Sequence, residues 1–219
     1  VLLKEEQSMN NVKLTVQEAQ EFANAVPLNN YKILIIEDDN DVRQFLKEEI
    51  GIYFEVVTAE DGVDGLEKVQ EYDPDLIVCD VLMPRMNGYE VTKKLKDDLQ
   101  TSHIPVILLT ALGTPENHLE GIESGADAYI SKPFSVKLLL ARIIKLIEQR
   151  EKLREKFSSE PGLSRPAICS TDKDKEFIDK LHAILETEIA NADFSVDEFA
   201  VQMKLGRTVF YKKVKGITG

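Results

Sequence analysis

Five short apolar runs, each followed by a stretch of helical periodicity, constrain this chain more than any other feature. The runs are KILIIE, YFEVVT, DLIVCD, IPVILLT and ADAYIS. The helical stretches are DVRQFLKEEI, DGVDGLEKVQEY, NGYEVTKKLKDDL, ENHLEGIES and VKLLLARIIKLIEQ. Strand then helix, repeated five times, predicts an α/β domain: a doubly wound, five-stranded parallel sheet with helices on both faces.

The rest of the chain divides by composition. Residues 1–30 are polar and mixed, with one helical stretch, VQEAQEFANAV, before Pro27, and read as a connector from a preceding domain. The α/β pattern occupies 31–150. A helical extension and linker follow over 151–171, ending in SSEPGLSRPAICST, and a small helical region fills 172–219. Leu139, Ile143, Leu146, Arg150, Leu153 and Phe157 recur at alternating spacings of four and three. That spacing fits either a core-facing helix with a polar extension or the seam of a coiled coil. In DKDKEFIDKLHAILETEIAN, one helical side carries Phe177, Leu181, Ile184, Leu185, Glu188 and Ile189. No internal repeat is visible.

Charge and cysteine content exclude several classes. A net charge of −12 argues against a surface coated everywhere by nucleic acid, but it leaves room for a local basic patch. One such patch lies between Lys204 and Gly219, where Arg207, Lys212, Lys213 and Lys215 stand without an acid. Cys79 and Cys169 lack CxxC spacing, so a disulfide framework is not expected and a reducing, cytoplasmic location fits. The most apolar run, LLLARIIKLI, is broken by Arg142 and Lys145 and is too short to span a bilayer. No signal peptide is visible, and a start at Val rather than Met reads as an excised fragment.

In an open α/β sheet, ligands bind outside the carboxyl ends of the strands, where strand order reverses. Here those ends carry Glu37-Asp38-Asp39 on the first run, Asp80 on the third, Thr110 on the fourth and Lys132-Pro133 on the fifth. Taken singly, each has a plainer explanation. Asp39 or Asn40 can cap the following helix, Asp80 can be a turn residue and Lys132 a solvated loop lysine. Taken jointly, three carboxylates repel one another unless a cation lies among them, and hard oxygen ligands suit Mg²⁺. A carboxylate beside a metal and an ammonium can attack phosphorus to form an acyl phosphate, with Asp80 the best-placed nucleophile.

On the motifs ILIIEDD, DLIVCDVLMPRMNGYE, PVILLTA and GADAYISKPF, residues 31–150 resemble a response-regulator receiver domain. The resemblance implies a flavodoxin-like fold and acceptance of a phosphoryl group on Asp80 from a histidine kinase. It assigns Mg²⁺ to Glu37, Asp38, Asp80 and the backbone carbonyl of Leu82. Thr110 and Lys132 match the phosphate-sensing pair, and Tyr129 matches the aromatic that swings inward with Thr110. Glu37 stands where Asp is more usual. Asp127 and Arg142 fit the family's dimer face, whereas Leu138 and His118 do not, so phosphorylation-linked homodimerisation is implied with one cross-dimer pair missing.

The basic end has its own pattern. Ser195 and Glu198 form a capping-box signature before VDEFAVQM, Gly206 marks a tight turn, and a second helix starts at Arg207. Two helices joined by a short turn predict a helix-turn-helix, whose second helix enters the major groove. Two short amphipathic helices with a solvated lysine face would share that pattern. The stretch resembles the first helix-turn-helix of the AraC family, with Phe199, Ala200, Met203, Leu205, Val209 and Phe210 as its core. DNA contacts then fall to Arg207, Thr208, Tyr211, Lys212, Lys213 and Lys215, in a domain that is incomplete here. A receiver before an AraC-type reader resembles hybrid two-component proteins, which carry a sensor kinase upstream in the same chain and are anchored in the inner membrane. The segment itself would touch no membrane and would turn over nothing beyond its own phosphate. Two alternatives are a stand-alone regulator and a phosphorelay or interaction module that never binds DNA.

Overall fold

A computed structural model describes residues 27–111, 124–159, 172–191 and 193–218. The helix expected at ENHLEGIES, His118, Cys169, the helix expected in the connector and most of the linker lie outside them. The chain divides into two compact units, residues 1–94 with 104–149 and residues 95–103 with 150–219.

The first unit is built on five parallel strands: β1 (Lys32–Ile36), β2 (Glu55–Ala59), β3 (Leu76–Asp80), β4 (Val106–Ala111) and β5 (Ala128–Lys132). Their order is β2-β1-β3-β4-β5, so the sequence in which strands are added changes side between β1 and β3 while all strands stay parallel. The central strands KILII and LIVCD are almost wholly buried because helices cover both faces, which is why they are apolar throughout rather than alternating. Ile33 and Ile35 belong to a core with Leu46 and Ile50 of α1 (Asn40–Gly51) and Leu139 and Ile143 of α4 (Val136–Ser159). Ile36 faces the opposite side, where Gly65 of α2 (Gly62–Tyr72) lies so close that an added Cβ would collide with it. Leu139 and Ile143 are therefore core residues, as the core-facing reading of that helix requires. The side chains of Leu153 and Phe157 lie outside the described set. Burying each such isoleucine contributes about 1.5–3 kcal/mol.

Helix starts are fixed by carboxylates. Asp39 caps α1 by accepting from Asp41 N at 2.9 Å and Val42 N at 3.0 Å. Asp61 caps α2 by accepting from Val63 N and Asp64 N, and it also pairs with Arg85. Helix α3 (Gly88–Asp97) begins at a glycine whose Cβ would collide with the Asp80 carbonyl. That close approach keeps the segment after Asp80 tight against the end of β3.

The second unit packs α5 (Asp172–Glu188), α6 (Val196–Gln202) and α7 (Arg207–Thr218) around Phe177, Ile178, Leu181, Ala200, Met203, Phe210 and Ile217. The Phe199 and Phe210 rings lie 4.9 Å apart, in the range of favourable aromatic pairs. Leu185 on α5 and Ile189 just past its end are exposed, so the expected apolar side is buried mainly through its first half. The capping box forms: Ser195 N donates to Glu198 Oε2 at 2.8 Å and Glu198 N to Ser195 Oγ at 3.3 Å.

The turn after α6 is a Schellman motif, with Leu205 N donating to Ala200 O and Lys204 N to Val201 O, both at 2.9 Å. Its left-handed residue is Lys204, at φ 60°. Gly206, expected from the sequence to make the turn, instead caps α7: its carbonyl accepts from Phe210 N at 2.9 Å, and no neighbour would meet an added Cβ.

Candidate functional site

The topology brings Glu37 and Asp80 together. Ile36 pairs with Cys79 in the β1–β3 ladder, so Glu37 and Asp80 are the next residues along each neighbouring strand. Oxygens of Glu37, Asp38 and Asp80 lie within 4.8 Å of one another, the first and last buried and Asp38 exposed. From β5, Lys132 Nζ reaches Glu37 Oε2 and Asp80 Oδ1, each at 3.0 Å. The β4–β5 register pairs Thr110 with Ser131 and Ala111 with Lys132, so Thr110 and Lys132 end adjacent strands.

The electrostatics are governed first by burial. Burial pushes the Asp80 carboxyl above its ordinary value; Lys132 and the Val81 amide oppose that shift, and the charge of Asp38 adds to it. Burial likewise raises Glu37, with the Lys132 hydrogen bond opposing and the Asp80 charge adding. Burial works to lower the Lys132 ammonium, but its hydrogen bonds to Glu37 and Asp80 prevail and hold it above its ordinary value. Burial leads both upward shifts and the Lys132 ammonium opposes them, so a further cation beside these oxygens would favour their charged forms. Carboxylate oxygens at this separation are the donor set that suits a hard divalent ion.

The two oxygens of Asp80 are not equivalent. Oδ1 accepts from Val81 N at 2.9 Å and from Lys132 Nζ, whereas Oδ2 has no donor among the described residues.

The family description "Response regulator receiver domain" matches residues 33–144. This chain belongs to the response-regulator receiver family. Histidine kinase P4 of Formosa agariphila is 39% identical over 186 residues, 85% of this chain and 14% of that protein. The probable transcriptional regulator ycf27 of Cyanophora paradoxa is 43% identical over 125 residues, 57% of this chain and 51% of its own length. The chain thus spans between a small part and about half of these relatives. Among solved structures, the receiver domain of the Francisella response regulator 1452 aligns with TM-score 0.50 and 34% identity, covering 55% of this chain and 98% of that one. The receiver domain of a histidine kinase from Syntrophus aciditrophicus aligns with TM-score 0.51 and 30% identity, covering 61% and 97%.

The receiver's expected residues fall in two groups. Glu37, Asp38, Asp80 and Lys132 come together as described. Thr110 is half-buried with its hydroxyl donating to Ala111 O at 3.1 Å, and Tyr129 is 36% exposed with its hydroxyl 3.4 Å from Ser124 Oγ. Leu82 is exposed. On the implied dimer face, Arg142 is exposed and the Asp127 carboxylate accepts from Val106 N at 2.8 Å.

On α7, Arg207, Thr208, Tyr211 and Lys215 are exposed and Lys212 is half-buried. Lys213, expected from the sequence among DNA-facing residues, is wholly buried: it pairs with Asp174 and donates to Ser102 Oγ at 2.7 Å. The helical period explains this. Phe210, Lys213 and Ile217 fall on one stripe and face the core, while Arg207, Tyr211 and Lys215 fall on another. Among the described residues no helix is long and apolar enough to cross a membrane.

Sequence reasoning missed the roles of two arginines. Arg85, at φ 65° in the loop after β3, pairs with buried Asp61. Arg43 binds the backbone of the acidic loop. A lone arginine early in a helix carries no periodic signal, so only the fold discloses its target.

Proposed function

We propose that this receiver accepts a phosphoryl group on Asp80 from a histidine kinase and passes the change on to a DNA-reading domain. One observation carries the reading: Asp80 Oδ1 is held by Lys132 and the Val81 amide while Oδ2 takes no donor among the described residues, within a three-carboxylate cluster. Oδ2 attacks phosphorus, the bond from phosphorus to the donor breaks, and the donor leaves with its electron pair. Lys132 keeps Asp80 oriented and ionised before attack and can then bind an oxygen of the transferred group. Glu37, Asp38, Asp80 and the Leu82 carbonyl would hold Mg²⁺, and such an ion supplies charge neutralisation at the transferring group. Thr110 turns its hydroxyl from Ala111 O to the phosphoryl group, and Tyr129 moves inward behind it.

The DNA-reading part rests on α6, its Schellman turn and α7, in the arrangement of an AraC-type helix-turn-helix. Arg207, Thr208, Tyr211 and Lys215 form its outward face, with Lys212 at the margin and Lys213 serving the core instead. The hybrid setting is supported by the Formosa histidine kinase, whose 186-residue alignment is longer than the receiver segment 33–144. The boundaries proposed are a receiver over 31–150, an extension and linker over 151–171, and the first part of the reader over 172–219.

The direct test is labelling with a small acyl phosphate donor and Mg²⁺. One acid-labile phosphate per chain is expected, and none in Asp80→Asn; label persisting in that variant overturns the assignment. Full-length protein should shift operator DNA in a salt-sensitive way, whereas a module that never reads DNA would give no shift.

A further inference from the structure

The acidic loop between β1 and α1 carries two of the three clustered carboxylates, so its backbone sets where they point. Three successive carbonyls of that loop and one side-chain amide oxygen are bound by one residue. Arg43 Nη1 donates to Glu37 O at 2.6 Å and to Asp38 O at 3.1 Å. Its Nη2 donates to Asn40 Oδ1 at 3.0 Å, and its backbone N–H donates to Asp39 O at 2.9 Å. Four consecutive residues, 37 to 40, are thus tied to a single half-buried arginine one turn into the helix.

We propose that Arg43 is a positioning residue that holds the Glu37–Asp38 loop in the geometry a divalent cation requires. The proposal rests on the reading of the carboxylate cluster as a Mg²⁺ site. Mg²⁺ demands near-ideal octahedral geometry and gives up its water reluctantly, so loose carboxylates bind it poorly. The planar guanidinium fork can bridge two successive carbonyls and a side-chain amide at once, which a lysine ammonium on a flexible stem cannot do. Simple Coulomb repulsion predicts the reverse: a cation on the same loop should oppose Mg²⁺, and its removal should tighten binding. The two accounts differ in sign.

Calorimetric titration of Mg²⁺ into the metal-free 219-residue chain decides between them. Arg43→Ala should weaken affinity by about 10–100-fold, the usual cost of losing a residue that orients metal ligands. Arg43→Lys, which keeps the charge but not the fork, should recover only part of it. In acyl phosphate labelling the Mg²⁺ concentration at half-saturation should rise while the plateau stays unchanged. In metal-free protein, amide exchange over residues 38–42 should speed up in Arg43→Ala while β3 is unaffected. Wild-type or tighter affinity in Arg43→Ala overturns the proposal. Should that variant fail to fold, wild-type affinity in Arg43→Lys overturns it instead. A wild-type chain that binds no Mg²⁺ overturns the metal reading beneath it, a result distinct from equal binding by wild type and variant.

Discussion

Acidification from pH 7 to pH 5 should loosen α7 through one imidazole. His103 is 8% exposed, its Nδ1 has no hydrogen-bond partner among the described residues, and its ring lies so close to Gly216 that a Cβ there would collide with it. Burial, followed by the charges of Arg150, Lys213, Lys96 and Arg154, lowers its pKa from 6.5 to about 2. In the unfolded chain the imidazole takes up a proton near its ordinary value, whereas in the folded chain it stays neutral. The stability that neutral His103 confers is therefore complete above about pH 6.5 and is lost as pH falls through 6.5 toward 2. Between pH 7 and 5 the loss amounts to about 2 kcal/mol, roughly 25-fold in the opening equilibrium. The figure is the same for any folded-state pKa below about 4, because the unfolded state alone titrates in this window. Amide hydrogen exchange over Phe210–Ile217, corrected for intrinsic rates, reads the opening directly. Wild type should lose about 25-fold protection, and His103→Leu should not lose that component. Equal losses in both chains would refute the reasoning.

Three further perturbations have defined outcomes. Lys132→Ala should destabilise the metal-free chain by about 1–3 kcal/mol, since Glu37 and Asp80 lose a partly exposed cation, and Mg²⁺ should raise its melting temperature more than it raises that of wild type. Lys213→Met removes the ammonium beside the buried Asp174 carboxylate, to which the Ser102 hydroxyl still donates, and should cost about 3–5 kcal/mol by denaturant unfolding, whereas the double variant with Asp174→Leu should recover most of it. Lys204→Gly relieves a left-handed non-glycine residue and should stabilise the second unit by up to about 1 kcal/mol in thermal melts.

The sheet, its strands and the grouping of acids at the strand ends were readable because each leaves a periodic or positional mark. Apolar runs mark buried strands, and acids placed at the ends of KILII and LIVC mark the mouth of the site. Capping followed similar local rules, so the Ser195–Glu198 box formed as expected, and Asp39 also took the plainer capping role open to it. What stayed hidden depended on side chains that contradict their type. Lys213 occupies a core position that its charge disguises, although Phe210 and Ile217 on either side mark the stripe. Lys204 adopts a conformation normally left to glycine, and the nearby Gly206 drew the turn assignment away from it. Arg43 and Arg85 reach targets set by tertiary structure, which no spacing rule encodes.

The β1–β3 register carries a consequence for how the chain reaches its native state. Glu37 and Asp80 are neighbours only if Ile36 lies opposite Cys79, and a slip of one residue would turn alternate side chains to the wrong face. Two of the three cluster carboxylates are therefore adjacent only after the two central strands have joined across the intervening α1, β2 and α2. Any divalent ion that needs the whole cluster would recognise correctly paired chains and ignore misaligned ones. By mass action, such an ion draws the population toward the proper alignment. A divalent ion held there as proposed would in this way favour correct pairing of the two central strands.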